Sequence, residues 1–195
     1  MRIIGGLARG RKLKTPGRSN SIRPTTDRAR EALFSIIGSM IHSARVLDLF
    51  AGTGALGLEA FSRGAKQVVF VEKESKAIHV INHNCALCTK GIKDIQGDEL
   101  IVIQHDLCRG VNFKHPMFAD SPCFDIIFLD PPYNKNLAEK SLSFLDTSNF
   151  ITASTLIIAE ESSANTLPDS YLRLKLADQR RYGDTGFWFY KARER

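Results

Sequence analysis

Residues 124–133 read Phe-Asp-Ile-Ile-Phe-Leu-Asp-Pro-Pro-Tyr, an apolar run that ends in a carboxylate, two prolines and an aromatic ring. Five apolar residues around a single aspartate are typical of a strand that is buried on both faces. Such strands belong to parallel sheets, whose ligands bind beyond the carboxyl ends of the strands. The pattern therefore predicts an α/β fold and puts Asp130 at the edge of the sheet where ligands bind.

The tetrad 130–133 matches the (Asp/Asn)-Pro-Pro-(Tyr/Phe) motif of amino-methyltransferases, which methylate planar exocyclic nitrogens of nucleobases or of glutamine. Such a nitrogen is a poor nucleophile because its lone pair is delocalised, so the enzyme has to hold both amine hydrogens. The carboxylate of Asp130 and the carbonyl of Pro131 offer acceptors, and Pro131 with Pro132 fixes the backbone angle φ. Tyr133 offers a face on which a flipped base can stack. Taken alone, Asp-Pro-Pro also fits a simple turn after a buried strand, so a second motif has to decide.

The second motif lies upstream, where the apolar run 46–50 leads into residues 51–57, which read Ala-Gly-Thr-Gly-Ala-Leu-Gly. A helix is predicted over 55–63, so the glycines form a strand-to-helix turn in which a ligand can approach the backbone. The spacing Gly-x-Gly-x-x-Gly also satisfies the dinucleotide fingerprint. A nicotinamide-dependent oxidoreductase is therefore an alternative.

Acidic side chains accompany three predicted strands. Asp48 lies in the Asp-x-Phe-x-Gly-x-Gly pattern of class I methyltransferases, where an acid is expected near the amino-acid part of S-adenosylmethionine and would repel a pyrophosphate. Glu72 ends a strand and can accept hydrogen bonds from ribose hydroxyls, and Asp106 is a candidate for the adenine amine. The simpler alternatives are a cap of the neighbouring turn for Asp48, a solvated acid for Glu72 and an ordinary loop residue for Asp106.

The tetrad favours S-adenosylmethionine over a nicotinamide cofactor, because hydride transfer has no evident use for it. The cofactor predicted is S-adenosylmethionine, and the catalytic residues predicted are Asp130, Pro131, Pro132 and Tyr133. The residues predicted to bind the cofactor are Asp48, Phe50, Ala51, Gly52, Thr53, Gly54, Glu72 and Asp106.

Composition excludes several classes of protein. With 195 residues, 43% of them hydrophobic, and no apolar run of membrane-spanning length, the chain is expected to form one soluble domain. The start lacks the features of a secretion signal, which predicts a cytoplasmic protein. Cys85 and Cys88 have a spacing found in metal sites, but no second pair completes a set of ligands, so we expect a structural helix face and no metal.

Charge is concentrated at the start of the chain. Residues 1–30 contain nine Lys or Arg and one acid, a balance of +8, whereas the net charge of the whole chain is +6. We therefore expect residues 1–27 to form a basic extension or hairpin that contacts RNA, and residues 28–195 to form the methyltransferase domain. A solubilising tail is the alternative. The residues predicted to contact RNA are Arg2, Arg9, Arg11, Lys12 and Arg23.

A family resemblance is carried by segments along nearly the whole chain, namely 2–6, 9–13, 23–27, 47–54, 56–60 and 128–133. In these segments the sequence resembles the bacterial 16S ribosomal RNA guanine-N2 methyltransferases of the RsmD type. It departs from them at Thr53, where serine is common, and at Tyr133, where phenylalanine is common. The resemblance implies methylation of one guanine amine in 16S ribosomal RNA, with the small ribosomal subunit or its assembly intermediate as partner. Guanine and the ribosome follow from the resemblance alone.

The predicted fold is a Rossmann-like class I methyltransferase, with a seven-stranded, mostly parallel sheet, helices on both faces and an antiparallel C-terminal hairpin. An early helix is predicted to bury Ala29, Leu33, Phe34, Ile36 and Ile37. Three other functions stay open at this point: methylation of DNA adenine or protein glutamine, a non-catalytic RNA-binding assembly factor, and the oxidoreductase. The strands are expected near 45–50, 67–72, 100–104, 124–129, 155–159, 172–178 and 186–191.

Overall fold

The computed structural model of the chain describes residues 1–15, 27–92, 99–111, 113, 115, 123–133 and 136–193. Arg23, one of the residues predicted to contact RNA, lies outside them. The strands are β1 (Arg45–Leu49), β2 (Gln67–Glu72), β3 (Leu100–Gln104), β4 (Ile126–Leu129), β5 (Leu156–Ser162), β6 (Leu174–Tyr182) and β7 (Thr185–Ala192). The α-helices are α1 (Asp27–Ile37), α2 (Ala55–Ser62), α3 (Ser75–Thr89) and α4 (Leu137–Asp146).

The seven strands form one sheet in the order β3-β2-β1-β4-β5-β7-β6. Strands β1 to β5 pair in parallel, and β7 runs antiparallel to both β5 and β6. The predicted fold class is therefore confirmed, including the C-terminal hairpin. Its turn is shorter than the sequence indicated, because β6 continues to Tyr182 and only Gly183 and Asp184 connect the two strands.

Apolar residues on both faces of the strands explain the runs seen in the sequence. Along β4, Ile126 and Phe128 face the cluster that includes α1 and α2, whereas Ile127 and Leu129 face the cluster that includes α4. The same alternation holds in β1, β2 and β5, as expected for parallel strands covered by helices on both sides. No helix in the described ranges is both long and apolar enough to cross a membrane.

The buried face of α1 differs from the prediction at one residue. Ala29, Leu33, Phe34 and Ile37 are buried as predicted, but Ile36 is 39% exposed, so that part of the prediction was wrong. Arg30 is buried in this face instead. A charged residue is not expected there from hydrophobic periodicity. Its Nη2 donates to the Arg2 carbonyl at 2.5 Å and to Asp27 at 3.0 Å, whereas its Nε and Nη1 are buried without a hydrogen-bond partner.

The N-terminal segment forms a hairpin, with Arg2 and Lys12 paired in antiparallel fashion, that packs on α2. The fully buried carboxylate of Glu59 accepts hydrogen bonds from the amides of Ile4 and Gly5 at 2.7 and 2.8 Å. The hydroxyl of Ser62 accepts a further bond from the amide of Ala8. The described part of the basic extension, residues 1–15, is thus attached to α2 through its backbone amides, and the side chains of Arg2, Arg9 and Lys12 are exposed on it.

Two glycines of this hairpin give a matched test of its attachment. Both have positive φ, +74° at Gly6 and +83° at Gly10, but only at Gly6 would an added Cβ collide, at 1.7 Å from the Ser62 carbonyl oxygen. We expect Gly10→Ala to lower the free energy of unfolding by roughly 1–2 kcal/mol, the cost of a left-handed alanine. Gly6→Ala should lower it by about 1–3 kcal/mol more and expose the segment to proteolysis. Equal losses in chemical denaturation would show that the hairpin does not need this close approach.

Candidate active site

The carboxyl ends of the parallel strands bring acidic residues into one row. One position beyond the ends of β1 and β4, Phe50 lies between Glu72 and Asp130, and Glu160 lies on the other side of Asp130. Neighbouring strands are about 4.7–4.9 Å apart, so residues distant in the chain become neighbours here. The register pairs that set this order are Leu49 with Val71, Leu49 with Leu129, and Leu129 with Ala159.

The turn between β1 and α2 has an unusual backbone. Gly52 and Gly54 have φ values of 56° and 76°, and Phe50, which has a side chain, adopts 62°. A non-glycine residue in the left-handed region costs of order 1–3 kcal/mol, and such residues are concentrated at functional sites. The turn is closed by a 2.7 Å bond from the Gly54 amide to the Ala51 carbonyl. Gly52 is partly exposed, whereas Gly54 is buried and a Cβ on it would lie 3.3 Å from Phe70. Binding of a cofactor at this turn stays a prediction.

Glu72 is fixed by three backbone amides. Its carboxylate accepts from Gly52 at 2.9 Å, from Lys73 at 2.8 Å and from Glu74 at 2.9 Å. A carboxylate has about four acceptor positions, so these bonds leave capacity for a further donor. Glu72 is partly exposed, which suits a residue predicted to accept a hydrogen bond from a ribose hydroxyl.

Asp48 lies beneath the turn and is only 2% exposed. Its carboxylate accepts the amide of Gly57, in the first turn of α2, at 2.9 Å. Burial raises the pKa of Asp48 to about 7, the negative charge of Glu72 adds to the effect, and the Gly57 bond opposes it. Of the two interpretations of Asp48, the cap of the neighbouring turn describes the contact seen here. Contact with the cofactor stays a prediction.

Gly57, the third glycine of the spacing, serves close packing. A Cβ at this position would lie 2.4 Å from Phe70 and 2.8 Å from Val68, both on β2. The helix can therefore approach the sheet only because residue 57 has no side chain. Such packing is one of the roles of the third glycine in strand-to-helix turns that bind nucleotides.

The tetrad follows β4 directly. Asp130 is partly exposed, Pro131 is buried and Pro132 is exposed. The hydroxyl of Tyr133 donates to the carboxylate of Glu160 at 2.7 Å. Burial, followed by the charge of Glu160, raises the pKa of Tyr133, so the phenol keeps its proton.

Glu160 was not among the predicted site residues. It is buried, with 3% of its surface exposed, near the carboxyl end of β5. Two signals could have indicated it. The apolar run of β5 ends in two acids, Glu160 and Glu161, and β5 is expected to pair with β4 in a sheet of this class.

Asp106 and Thr53 have contacts that the sequence did not indicate. The carboxylate of Asp106 accepts the amide of Cys108 at 3.0 Å, a bond that lowers its pKa, and so caps a short 3-10 turn. The carbonyl of Thr53 accepts from the side chain of Asn84, on α3, at 2.9 Å. Asn84 also bonds the backbone of Lys14 at both its amide and its carbonyl. The buried Asn84 therefore ties the basic hairpin to the glycine turn.

The predicted RNA contacts divide into two groups. Arg2, Arg9 and Lys12 are exposed on the hairpin, and Arg2 lies 3.7 Å from Asp27. Arg11 instead points into the protein. Its guanidinium donates to backbone carbonyls at the end of α3, those of Leu87, Cys88 and Lys90, at 2.6, 2.6 and 2.7 Å. Arg11 thus caps the C-terminus of α3, and its contact with RNA stays a prediction.

Two thiols of α3 and a cavity beyond β5 lie outside this row of acids. Burial raises the pKa of Cys85 to about 12 and that of Cys88 to about 11, which disfavours the thiolate that binds metals. No group of three or more His, Cys, Asp or Glu that could hold a metal occurs among the residues that the structure describes.

The cavity has a volume of about 460 Å³ and is lined by Asn136, Glu139, Glu161 and residues 164–167.

Comparison with known proteins gives consistent matches over the whole chain. The family model described as conserved hypothetical protein 95 matches residues 1–191. The chain is 34% identical over 195 residues to YlbH of Bacillus subtilis, named as a candidate rRNA methyltransferase, covering 99% of this chain and 100% of that one. It is 38% identical over 177 residues to ribosomal RNA small subunit methyltransferase D of Haemophilus influenzae, covering 90% and 86%. A solved Escherichia coli structure, the methyltransferase candidate yhhF, superposes with a TM-score of 0.79 at 31% identity, covering 100% and 99%.

The raised pKa of Asp48 predicts how stability depends on pH. Between its ordinary value of 3.8 and about 7, the folded protein keeps a proton that the unfolded chain has released. Stability should therefore fall as pH rises through this window and then level off. Asp48→Asn keeps an acceptor for Gly57 but cannot titrate. We expect its unfolding free energy, measured by urea denaturation from pH 4 to pH 8, to vary less over this window. Parallel curves for the two proteins would contradict the assignment.

Proposed function

Because this chain belongs to the family described as conserved hypothetical protein 95 and has the fold of S-adenosylmethionine-dependent methyltransferases, we propose that it methylates the N2 amine of one guanine in 16S ribosomal RNA. The observation that carries the proposal is the meeting of Asp130 and the glycine turn at one edge of the sheet. The relative from Haemophilus influenzae, named for methylation of the small subunit, supports this substrate. The reaction would take place in the cytoplasm, on the small subunit or its assembly intermediate.

The residues of the turn fit the cofactor by their chemistry. Bound S-adenosylmethionine supplies a methyl group activated by a positively charged sulfur. Glu72, which already accepts from three amides, has acceptor capacity left for a ribose hydroxyl. Asp48 is buried beneath the turn and its pKa is raised to about 7, so near neutral pH it carries only part of a negative charge and does not by itself separate the two cofactors. The tetrad argues against the oxidoreductase, because hydride transfer has no evident use for it.

The tetrad would prepare the guanine amine. Asp130 and the carbonyl of Pro131 would each accept a hydrogen bond from one N–H of the amine and draw the nitrogen toward tetrahedral geometry. As the nitrogen bonds to the methyl carbon, the bond from that carbon to sulfur breaks, and the proton passes from the nitrogen to Asp130 or water. No covalent intermediate with the enzyme is needed, because sulfonium is a good leaving group and the amine requires only positioning and proton acceptance. Tyr133 offers the ring on which the flipped base stacks, worth about 1–3 kcal/mol.

The hairpin would bind the RNA backbone. Arg2, Arg9 and Lys12 are exposed on it, and positive charge attracts phosphates irrespective of sequence. Through Asn84 the hairpin is connected to the cofactor turn, so RNA held there lies on a rigid part of the enzyme.

The tetrad alone does not exclude DNA adenine or a protein glutamine, since it serves other planar amines. The proposal can be tested with labelled S-adenosylmethionine that is offered separately with ribosomal RNA, small subunits, DNA and release factor. Methyl transfer to DNA or to protein alone would overturn it.

The role of Asp130 can be tested against an acid near the opposite end of the same strand. Asp130→Ala should slow single-turnover methylation by roughly 100- to 10,000-fold, because the side chain that accepts a hydrogen bond from the amine is lost, with little change in cofactor affinity. Asp125 precedes β4 and accepts the amide of Arg45 at 2.7 Å. Asp125→Ala serves as the control, and the rate of each folded molecule should stay at the wild-type value. A wild-type rate in Asp130→Ala would remove Asp130 from the mechanism.

The role of the hairpin can be tested through salt dependence. Replacing both Arg9 and Lys12 by alanine should weaken RNA binding and flatten the plot of log affinity against log salt concentration. The slope should change by about 0.7–0.9 for each phosphate that the protein no longer neutralises. The control replaces Lys175 and Lys191, exposed cations paired across β6 and β7, for the same change in charge. If both double variants flatten the plot equally, only net charge matters and the hairpin is not the binding surface.

A further inference from the structure

The hydroxyl of Tyr133 has a partner that the stacking role does not require. Stacking uses the face of the ring, which phenylalanine would offer equally well. In this chain the hydroxyl donates to Glu160, on β5, at 2.7 Å. The last residue of the tetrad is therefore attached to β5. The tetrad itself begins at the end of β4.

Glu160 is suited to this attachment by its position and burial. The register of Leu129 with Ala159 puts Glu160 beside Asp130 on the neighbouring strand. Glu160 is only 3% exposed, so its side chain is held in place by the surrounding sheet. Burial and the charge of Glu160 raise the pKa of Tyr133, and the charge of Asp130 adds to the effect. Both ends of the tetrad thus lie next to one buried carboxylate.

We propose that Glu160 is a positioning residue for methyl transfer, acting through Tyr133 and without touching the substrate. This inference rests on the proposed function for the reaction that it serves. With Asp130 continuing β4 and Tyr133 held by Glu160, the two prolines between them are fixed at both ends. The Pro131 carbonyl and the Tyr133 ring then have their positions before the base arrives, which is the kind of preorganisation that lowers a reaction barrier.

The strength of the contact supports this role. A hydroxyl that donates to a buried carboxylate makes a charge-assisted bond, which is shorter and stronger than a bond between neutral groups. The burial and the negative neighbours that raise the pKa of Tyr133 keep the proton on the phenol, so the direction of donation does not change near neutral pH. If the contact served only stability, its removal would lower the folded fraction but leave the rate of each folded molecule unchanged.

A double-mutant cycle separates these two possibilities. Tyr133→Phe keeps the ring and should slow single-turnover methylation about 10-fold with unchanged cofactor affinity, since small displacements of reacting groups cost up to about 100-fold. Glu160→Gln keeps an acceptor for the phenol and should stay within about 3-fold of wild type. Glu160→Leu removes the acceptor, and in that background Tyr133→Phe should have little further effect. The control is Glu161→Gln, at a neighbouring buried acid whose carboxylate instead accepts the Ser162 amide at 2.7 Å.

Two outcomes of the cycle would overturn the inference: a wild-type rate in Tyr133→Phe, or the same slowing by Tyr133→Phe in wild type and in Glu160→Leu. The molecule that accepts the methyl group in this cycle is first identified by the assay that offers ribosomal RNA, small subunits, DNA and release factor separately. Transfer to DNA or protein alone would refute the proposed function, and the cycle would then be run on that acceptor.

If no pool is methylated, NMR of the tyrosine hydroxyl protons decides. The Tyr133 proton should be protected from exchange in wild type and should exchange faster in Glu160→Leu. Rapid exchange in wild type would overturn the inference.

Discussion

The parallel pairing of β1 with β4 is the constraint on which the site depends. It joins segments about eighty residues apart in the chain and sets Phe50 beside Asp130, so the glycine turn and the tetrad become neighbours. The pairing is secured by burial on both faces, because a slip of one residue would exchange the sides of every apolar group in the strand. Since Ile127 and Phe128 belong to different hydrophobic clusters, both helical layers oppose such a slip. The geometry of the site therefore follows from the packing of the core.

Buried carboxylates fix the loops around this core. Asp48 accepts an amide of α2, Glu59 holds the N-terminal hairpin, and Glu160 holds the tetrad. Asp146, at the end of α4, likewise accepts the amides of residues 172, 173 and 174. Each such bond contributes roughly 1.5–3 kcal/mol and has a defined direction, so it orders a loop that apolar contacts alone would leave free to shift. A site assembled from several loops can be rigid for this reason.

Prediction from the sequence succeeded for features that depend on local spacing and failed for hydrogen-bond partners that are distant in the chain. Strand positions and the glycine turn were predictable because they depend on local periodicity and on residues with special backbone freedom. Charge did not indicate that the guanidinium of Arg11 donates to carbonyls at the end of α3. On α1, hydrophobic periodicity did not indicate that Arg30 is buried, with the Arg2 carbonyl and the Asp27 carboxylate as its partners, or that Ile36 is exposed. Partners distant in the chain are not visible in a local pattern.

The sequence by itself determined the class of fold, and it predicts both the edge of the sheet for the site and the amine chemistry indicated by Asp130 and its prolines. These follow from the spacing of apolar residues and from chemical groups that a short segment contains. Only the tertiary structure decided which charges are engaged, that Asp48 is buried with a raised pKa, and that Glu160 adjoins the tetrad. The physical reason is that desolvation and hydrogen-bond partnership depend on residues brought together across strands, and one-dimensional spacing does not specify those neighbours.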